Sequence, residues 1–168
     1  MINDMYTYTS REIILMDQDL ILSELNKLCD KALNGIGNIA TDYNNIYKSY
    51  RYDVRDNTIL TELLWEQNIY PSGYLCSIIN GDGGLFKAHR DKQRKLSIMY
   101  IKTGDKSTTN HYYPKKYNNN TRFYNDDEMV LAKSTVLEQN KLYLFNHQTI
   151  HSVTGINSQR CNISINLI

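Results

Sequence analysis

The sequence has few cysteines, no long apolar run and no excess of one charge sign. Its 168 residues include only three cysteines, Cys29, Cys76 and Cys161, at wide spacings and without a Cys-x-x-Cys pair. This pattern excludes the disulfide framework of small secreted domains and indicates a reducing compartment. Nineteen basic and eighteen acidic side chains nearly cancel, so composition favours neither a nucleic-acid nor a membrane-surface partner.

The N-terminus (MINDMYTYTSREIILMD) lacks an apolar run after a basic start, which is unlike a signal peptide. No stretch of about 18 apolar residues occurs, so no transmembrane segment is predicted. We therefore expect a cytoplasmic location. A length of 168 residues fits a single domain spanning 1–168.

The N-terminal 70 residues are predicted to supply helical support. After a short strand at 11–16, apolar residues recur at one-face helical spacing over 18–33: Ile21, Leu25, Leu28 and Ala32. Asp17 is the expected N-cap and Gly35 the C-terminal glycine. A second helix is predicted at 57–67, after a polar stretch rich in tyrosine and asparagine at 38–57.

From residue 72 onward, short β-prone segments predominate. They include YLCSII (74–79), LFKAH (85–89), LSIMYI (96–101), EMVLA, STVLEQ, KLYLF, HSVTGI and RCNISINLI. Residues 103–128 form a long polar connection, which we expect to be either a functional loop or a partly mobile one. The predicted fold is α+β but mainly β, a jelly roll over 71–168 with N-terminal helices packed on the sheet.

Two residues in AHRDKQRKLSIMY, His89 and Asp91, suggest metal chemistry. On a strand, residues i and i+2 point to the same side, so both side chains can reach one ion. Two histidines and one carboxylate on one face of a metal leave positions open for a co-substrate and O₂, as in non-haem Fe(II) oxygenases. His-x-Asp alone is a weak signal, and the second histidine must come from a distant segment.

The segment HSVTGINSQRCNISINLI supplies that histidine, His151, and places Arg160 nine residues later. From Arg160 the residues alternate, so that Arg, Asn, Ser and Asn share one face of a strand. This face is either solvated or part of a polar pocket in which Arg160 binds a carboxylate.

In order and spacing, His89-x-Asp91, His151 and Arg160 resemble the 2-oxoglutarate and Fe(II)-dependent dioxygenases, most closely the prolyl-4-hydroxylase-like branch. INGDGGLFKAHRD, RKLSIMYIK and NKLYLFNHQTIHSV resemble segments of the same family, and the likeness covers about 72–168. The family fold is the double-stranded β-helix, a jelly-roll variant, which agrees with the strand pattern.

The resemblance implies a role for each matching residue. His89, Asp91 and His151 would be the iron ligands and the catalytic centre. Arg160 would bind the 5-carboxylate of 2-oxoglutarate. Ser164 and Tyr100 match family hydroxyl positions that can assist Arg160. Where the family often has a tyrosine, about ten residues before the first ligand, this sequence has Ile79.

The resemblance further implies Fe(II), with 2-oxoglutarate and O₂ as cosubstrates and ascorbate as a further candidate cofactor. The expected reaction hydroxylates a C–H bond, with a prolyl or other peptidyl side chain as the first choice of substrate and a protein or peptide as partner. Three alternatives remain open: an AlkB-like nucleic-acid demethylase, a small amino-acid hydroxylase, and a jelly-roll binding module without enzymatic activity. The sequence leaves the oligomeric state unknown.

Two further histidines need an interpretation. His147 lies four residues before His151, but the spacing to Arg160 favours His151 as the ligand. His111 falls in HYYPKKY (111–117), where a solvated loop histidine is expected. Bases mixed with aromatics in this segment could also bind a nucleic-acid strand or an acidic peptide.

Overall fold

The computed structural model describes residues 10–43, 46–81, 88–91, 94–104, 107–116 and 123–168. The described strands are β1 (Ser10–Ile13), β2 (Asn38–Tyr43), β3 (Tyr47–Tyr52), β4 (Pro71–Ile79), β5 (Leu96–Thr103), β6 (Thr108–Pro114), β7 (Met129–Val136), β8 (Leu142–Asn146), β9 (Ile150–Thr154) and β10 (Arg160–Leu167). The two α-helices are α1 (Gln18–Leu33) and α2 (Thr58–Trp65), and short 3₁₀ turns cover Val54–Asn57 and Asp126–Glu128.

The described strands form two antiparallel sheets. The larger has seven strands in the order β1-β8-β5-β10-β4-β3-β2, and the smaller has three in the order β7-β6-β9. The sheets face one another, since the ring of Phe145 on β8 lies 5.3 Å from that of His111 on β6 and 5.1 Å from that of His151 on β9. This arrangement confirms the predicted fold class, a mainly β jelly roll with helices packed on its sheet.

Helix α1 covers the outer face of the large sheet. Its apolar stripe, including Leu25 and Leu28, is fully buried against α2 and against side chains from β3, β4, β5 and β10. The helix ends as predicted: Gly35 has a φ of 74° and its N–H donates to Ala32, while the N–H of Ile36 donates to Lys31. This is the paired hydrogen-bond pattern of a glycine-terminated helix. Asp17 occupies the N-cap position, but its side chain makes no capping hydrogen bond.

A smaller apolar cluster fills the space on the inner face of the large sheet. It consists of Met99, Ile101, Leu137, Tyr143 and Phe145. Alternate residues of β5 therefore belong to different cores, because Ile98 and Tyr100 pack on the helix side. The described part of the chain includes no helix with both the length and the apolar character needed to cross a membrane.

The N-terminal 70 residues are not purely helical, which corrects one expectation. Two strands, β2 and β3, occupy the polar stretch at 38–57 and extend the large sheet beyond β4. In YKSYRY the tyrosines Tyr50 and Tyr52 alternate toward the helix side, where both are buried. The residues of β3 that face the core are tyrosines rather than aliphatic residues. Because polar residues surround them, the sequence did not indicate a strand here.

The long polar connection at 103–128 is also partly regular. Strand β6 (Thr108–Pro114) lies within it and forms the centre of the small sheet. Residues 105–106 and 117–122 lie outside the described part of the chain. The predicted strand LFKAH also falls mostly outside it, since residues 82–87 are not described, while His89 forms isolated bridges to Phe123 and His151.

Candidate metal centre and anion site

Two of the predicted ligands, His89 and His151, are paired through their backbones. The N–H of His89 donates to the carbonyl of His151 at 2.9 Å, and the N–H of His151 donates back to His89 at 2.8 Å. The two rings lie 4.5 Å apart between their centroids. Residues 62 positions apart are thus brought side by side by sheet pairing rather than by loop conformation.

Asp91 completes a three-residue group. One ligand atom each from His89, Asp91 and His151 lies within 4.8 Å of the others. His151 is 6% exposed, and its Nδ1 lies 2.9 Å from the carbonyl oxygen of Thr149. A carbonyl only accepts, so Nδ1 carries the proton and Nε2 is left with a lone pair for a metal. This orientation of a histidine by a backbone carbonyl is typical of metal ligands.

The carboxylate of Asp91 is held in its charged form. Arg94 Nη2 donates to Oδ2 at 2.7 Å, and His147 Nδ1 lies 2.7 Å from the same oxygen. Burial raises the pKa of Asp91, but the contact with His147 and the charge of Arg94 outweigh it and hold the pKa below its usual range. The other carboxylate oxygen, Oδ1, lies 4.0 Å from Nε2 of His89.

His147 is not a member of the three-residue group. Its ring lies between Asp91 and Ser97, whose Oγ is 2.7 Å from Nε2. Burial lowers the pKa of His147, with the contact to Asp91 opposing the effect. Burial also lowers the pKa of His151, and the neighbouring His89 and His147 add to this shift. Neutral imidazoles beside an ionised carboxylate are the protonation states that metal binding requires.

Arg160 lies at the start of β10 and is 2% exposed. Its Nη1 donates to Ser107 Oγ at 3.1 Å, while Nε has no partner among the described residues. Burial lowers the pKa of Arg160 to about 10, so the side chain remains charged at neutral pH. Among the described residues the guanidinium has no counter-ion, and a buried charge in that situation costs several kcal/mol, which marks Arg160 as a candidate anion-binding residue.

The polar face of β10 is buried rather than solvated. Asn162 is 7% and Ser164 is 1% exposed, and both share the face of Arg160. The opposite face, with Cys161 and Ile163, belongs to the core under α1. This burial contradicts the solvated alternative for this strand, and a pocket in which Arg160 binds a carboxylate stays a prediction. Ser164 lies on the predicted face, and its contact with a cosubstrate stays a prediction.

The expectation for Tyr100 needs correction. Its hydroxyl oxygen lies 2.9 Å from Asn26 Oδ1 and 3.0 Å from Asn140 Oδ1, and its one proton can be donated to either of them. The ring of Tyr100 packs in the core beneath α1. Met99 and Ile101 occupy the inner face of β5 instead. Tyr100 therefore lies on the opposite side of the sheet from Arg160 and Ser164.

His111 was missed as an interior residue. It pairs with His151 across β6 and β9, is fully buried, and places Nδ1 3.2 Å from Thr149 Oγ1. Its Nε2 has no partner among the described residues. Burial lowers the pKa of His111 to about 4. The alternation of residues in TTNHYYP (108–114) could have indicated this placement, because Thr109 and His111 are the alternate residues of β6 that are buried.

The arrangement can hold one divalent cation, and a buried arginine, Arg160, lies on the same side of the large sheet. Two imidazoles and one carboxylate suit iron(II) and related first-row metals better than a structural zinc site, which takes four protein ligands. The fold and these side chains define a jelly-roll protein with a candidate His/Asp/His metal centre.

Comparison with known proteins gives no family membership. No family model matches the chain, and no curated protein matches its sequence. An oxidoreductase of the 2OG-Fe(II) oxygenase family from Burkholderia pseudomallei is similar at 8% identity and a TM-score of 0.48, covering 88% of this chain and 87% of that one. The E. coli protein ycfD has 12% identity and a TM-score of 0.49, covering 76% of this chain and 36% of its own.

Hazelnut (Corylus avellana) vicilin is also similar, with 8% identity and a TM-score of 0.45, covering 77% of this chain and 31% of its own. The chain thus spans about a third of the length of vicilin and of ycfD. Likenesses at this level carry no functional argument, so any assignment of function depends on the side chains of the site.

Proposed function

We propose that the protein is a 2-oxoglutarate- and Fe(II)-dependent dioxygenase that hydroxylates a C–H bond. The observation that carries this proposal is the coexistence of the His89, Asp91 and His151 group with a buried arginine, Arg160, that has no acidic partner among the described residues. A metal-binding jelly roll without oxygenase activity would need the first feature and not the second.

The donor set fits iron(II). His89, Asp91 and His151 would hold the ion and leave the positions on its other side for cosubstrates. Iron bound there would supply the activation of O₂ that a hydroxylation requires. Arg94 and His147 would keep Asp91 ionised and oriented, since both contact its Oδ2. Thr149 would hold the ring of His151 in its ligating tautomer.

The buried face of β10 would receive 2-oxoglutarate. Arg160 can pair its guanidinium with the distal carboxylate of the cosubstrate, and this pairing would satisfy Nε, which has no partner among the described residues. Ser164, four residues along the same face, would add a hydroxyl. A neutral cosubstrate of the same size would leave the guanidinium uncompensated, so the pocket selects a dianion.

Substrate would approach from the side of His89. Its side chain is 16% exposed, against 10% for Asp91 and 2% for His147. Phe123 lies next to it, 56% exposed, with the two ring centroids 6.1 Å apart. An aromatic surface beside the opening suits a peptidyl side chain, and a prolyl residue is our first choice. The near-zero net charge does not favour a nucleic acid.

Anaerobic absorption spectroscopy tests the assignment. The wild-type protein should bind Fe(II) and 2-oxoglutarate together and produce a weak metal-to-ligand absorption band in the visible range. His151→Ala should abolish the band, whereas His147→Gln, four residues away, should keep it with weaker iron affinity. A wild type without the band, or an undiminished band in His151→Ala, refutes the proposal and leaves the binding-module reading.

The role of Arg160 requires a separate measurement. Arg160→Ala should raise the concentration of 2-oxoglutarate needed to form the band, while iron binding without cosubstrate stays as in the wild type. Arg51→Ala, which removes an exposed arginine of β3, is the matched control. Loss of iron binding with unchanged cosubstrate affinity would show that the roles are misassigned. Mass spectrometry for a gain of one oxygen, on peptides, oligonucleotides and free amino acids in parallel, identifies the substrate class.

A further inference from the structure

The three cysteines of the sequence converge on one point of the core. Cys29 comes from α1, Cys76 from β4 and Cys161 from β10, and all three are fully buried. Cys76 Sγ lies 3.9 Å from Cys29 Sγ and 3.7 Å from Cys161 Sγ, and all three sulfurs fall within 4.8 Å of one another. A disulfide needs a sulfur separation of about 2.05 Å, so the three groups are free thiols.

These separations are those of sulfurs around a common metal ion. A metal–sulfur bond of about 2.3 Å gives sulfur–sulfur distances of about 3.8 Å in tetrahedral and about 4.0 Å in trigonal geometry. We propose that Cys29, Cys76 and Cys161 form a metal site, separate from the histidine–aspartate group, that binds a soft cation of the Cu(I) type. This proposal does not depend on the oxygenase assignment.

The number of ligands selects the metal. No fourth histidine, cysteine, aspartate or glutamate joins the group among the described residues. The surroundings are apolar side chains and tyrosines of the core under α1, for example Tyr52 and Ile163. Structural zinc takes four protein ligands, and no water reaches fully buried sulfurs to supply one. Cu(I) prefers soft thiolate ligands and accepts three of them.

One ion pair, between Lys102 and Asp30, lies close enough to Cys161 to act on it electrostatically, with opposite signs. Lys102 extends from β5 to Asp30 of α1, with Nζ 2.6 Å from Oδ1. Each thiol that coordinates releases its proton to solvent, and binding therefore strengthens as pH rises.

The cluster lies on the other side of the large sheet from the pocket of Arg160. Cys161 follows Arg160 directly in β10, so the two side chains point to opposite faces. A Cu(I) ion at the cysteines would tie α1 to β4 and β10, which are held together there by apolar contacts. Binding to the folded state alone would raise the temperature of unfolding.

The test is a Cu(I) competition under anaerobic, reducing conditions. Reduced, iron-free protein is titrated into the coloured Cu(I)–bicinchoninate complex, and the loss of colour is followed. Wild type should withdraw one equivalent. Cys76→Ala removes one of the three ligands. Loss of a residue that only supports a ligand costs up to about 100-fold in metal affinity, so Cys76→Ala should weaken Cu(I) binding by more than that. The double variant His89→Ala/His151→Ala should bind Cu(I) as the wild type does.

Several results would contradict the proposed copper site. A wild type that withdraws no Cu(I), or a Cys76→Ala variant that binds equally well, overturns it. Loss of binding in His89→Ala/His151→Ala assigns the copper to the histidines and overturns it too. X-ray absorption at the copper edge of the wild-type complex gives a check that needs no variant: sulfur-only coordination is expected, and nitrogen ligands contradict the site. Cys29→Ala and Cys161→Ala provide parallel variants should one of the three not fold.

Discussion

Replacing His111 by phenylalanine should flatten the pH dependence of folding stability. His111 is fully buried between the sheets, and burial lowers its pKa from 6.5 to about 4. In the unfolded chain it takes up a proton below about pH 6.5, whereas the folded protein resists protonation down to about pH 4. The stability that the neutral ring contributes is therefore complete above about pH 6.5 and is lost as pH falls toward 4.

The two pKa values set the size of the effect. At about pH 5, protonation of His111 in the unfolded chain lowers the free energy of unfolding by about 2 kcal/mol. At about pH 7.5 this contribution is almost zero. His111→Phe keeps an aromatic ring against Phe145, whose centroid lies 5.3 Å away, but removes the titration. Relative to wild type, the variant should therefore gain about 2 kcal/mol between about pH 7.5 and pH 5.

Urea unfolding of the metal-free protein at several pH values measures this difference. His147 and His151 also titrate, so the informative quantity is the wild-type slope minus the variant slope. Tyr112→Phe, on the same strand, loses the contact of its hydroxyl with Ser152 Oγ at 2.9 Å and should leave the slope unchanged. Parallel wild-type and His111→Phe curves would show that His111 titrates as it does in water, and would refute its burial in the neutral form.

Three further predictions concern individual positions. Gly104→Ala would place a methyl group 3.2 Å from Cγ of Arg160. The guanidinium should shift, so the concentration of 2-oxoglutarate required in the anaerobic titration should rise. An unchanged requirement contradicts the placement of the cosubstrate. Tyr100→Phe removes the hydroxyl that contacts Asn26 and Asn140 and should cost about 1–3 kcal/mol in urea unfolding. Cosubstrate affinity should be unaffected, and a change in affinity would restore Tyr100 to the site. Leu28→Ala leaves a cavity at a fully buried position between α1 and the large sheet and should lower the free energy of unfolding in urea by about 2–5 kcal/mol. A decrease of less than about 1 kcal/mol would argue against the docking of α1.

The jelly roll and its sheet-covering helix could be predicted from the sequence because their signals are local. The stripe of α1, its terminal glycine and the short apolar runs after residue 72 each report on neighbouring residues. The faces of β5 could not be predicted, because LSIMYI is apolar at nearly every position and offers no alternation. A single step in register turns each side chain to the other face, so the residues of this strand could not test the role that the family resemblance implied for Tyr100.

Other features depend on residues that are far apart in the sequence. His-x-Asp and Arg160 could be found by spacing, but the contacts of His147 and His111 arise only when β6, β8 and the segment around Asp91 meet. Both histidines lie among polar residues in the sequence, a setting that indicates solvent exposure. The three cysteines are separated by 47 and 85 residues, so no local sequence pattern could predict that their side chains meet in the core.

The position of β10 has a consequence for synthesis on the ribosome. It is the latest of the described strands in the chain, yet it lies between β5 and β4 in the large sheet. Until it emerges, β1-β8-β5 and β4-β3-β2 remain two separate ribbons, each with an open edge that can pair with other chains. The nascent protein thus exposes two open sheet edges until the strand that bears Arg160 joins the two halves, and the same event closes the sheet and brings Arg160 into its buried position.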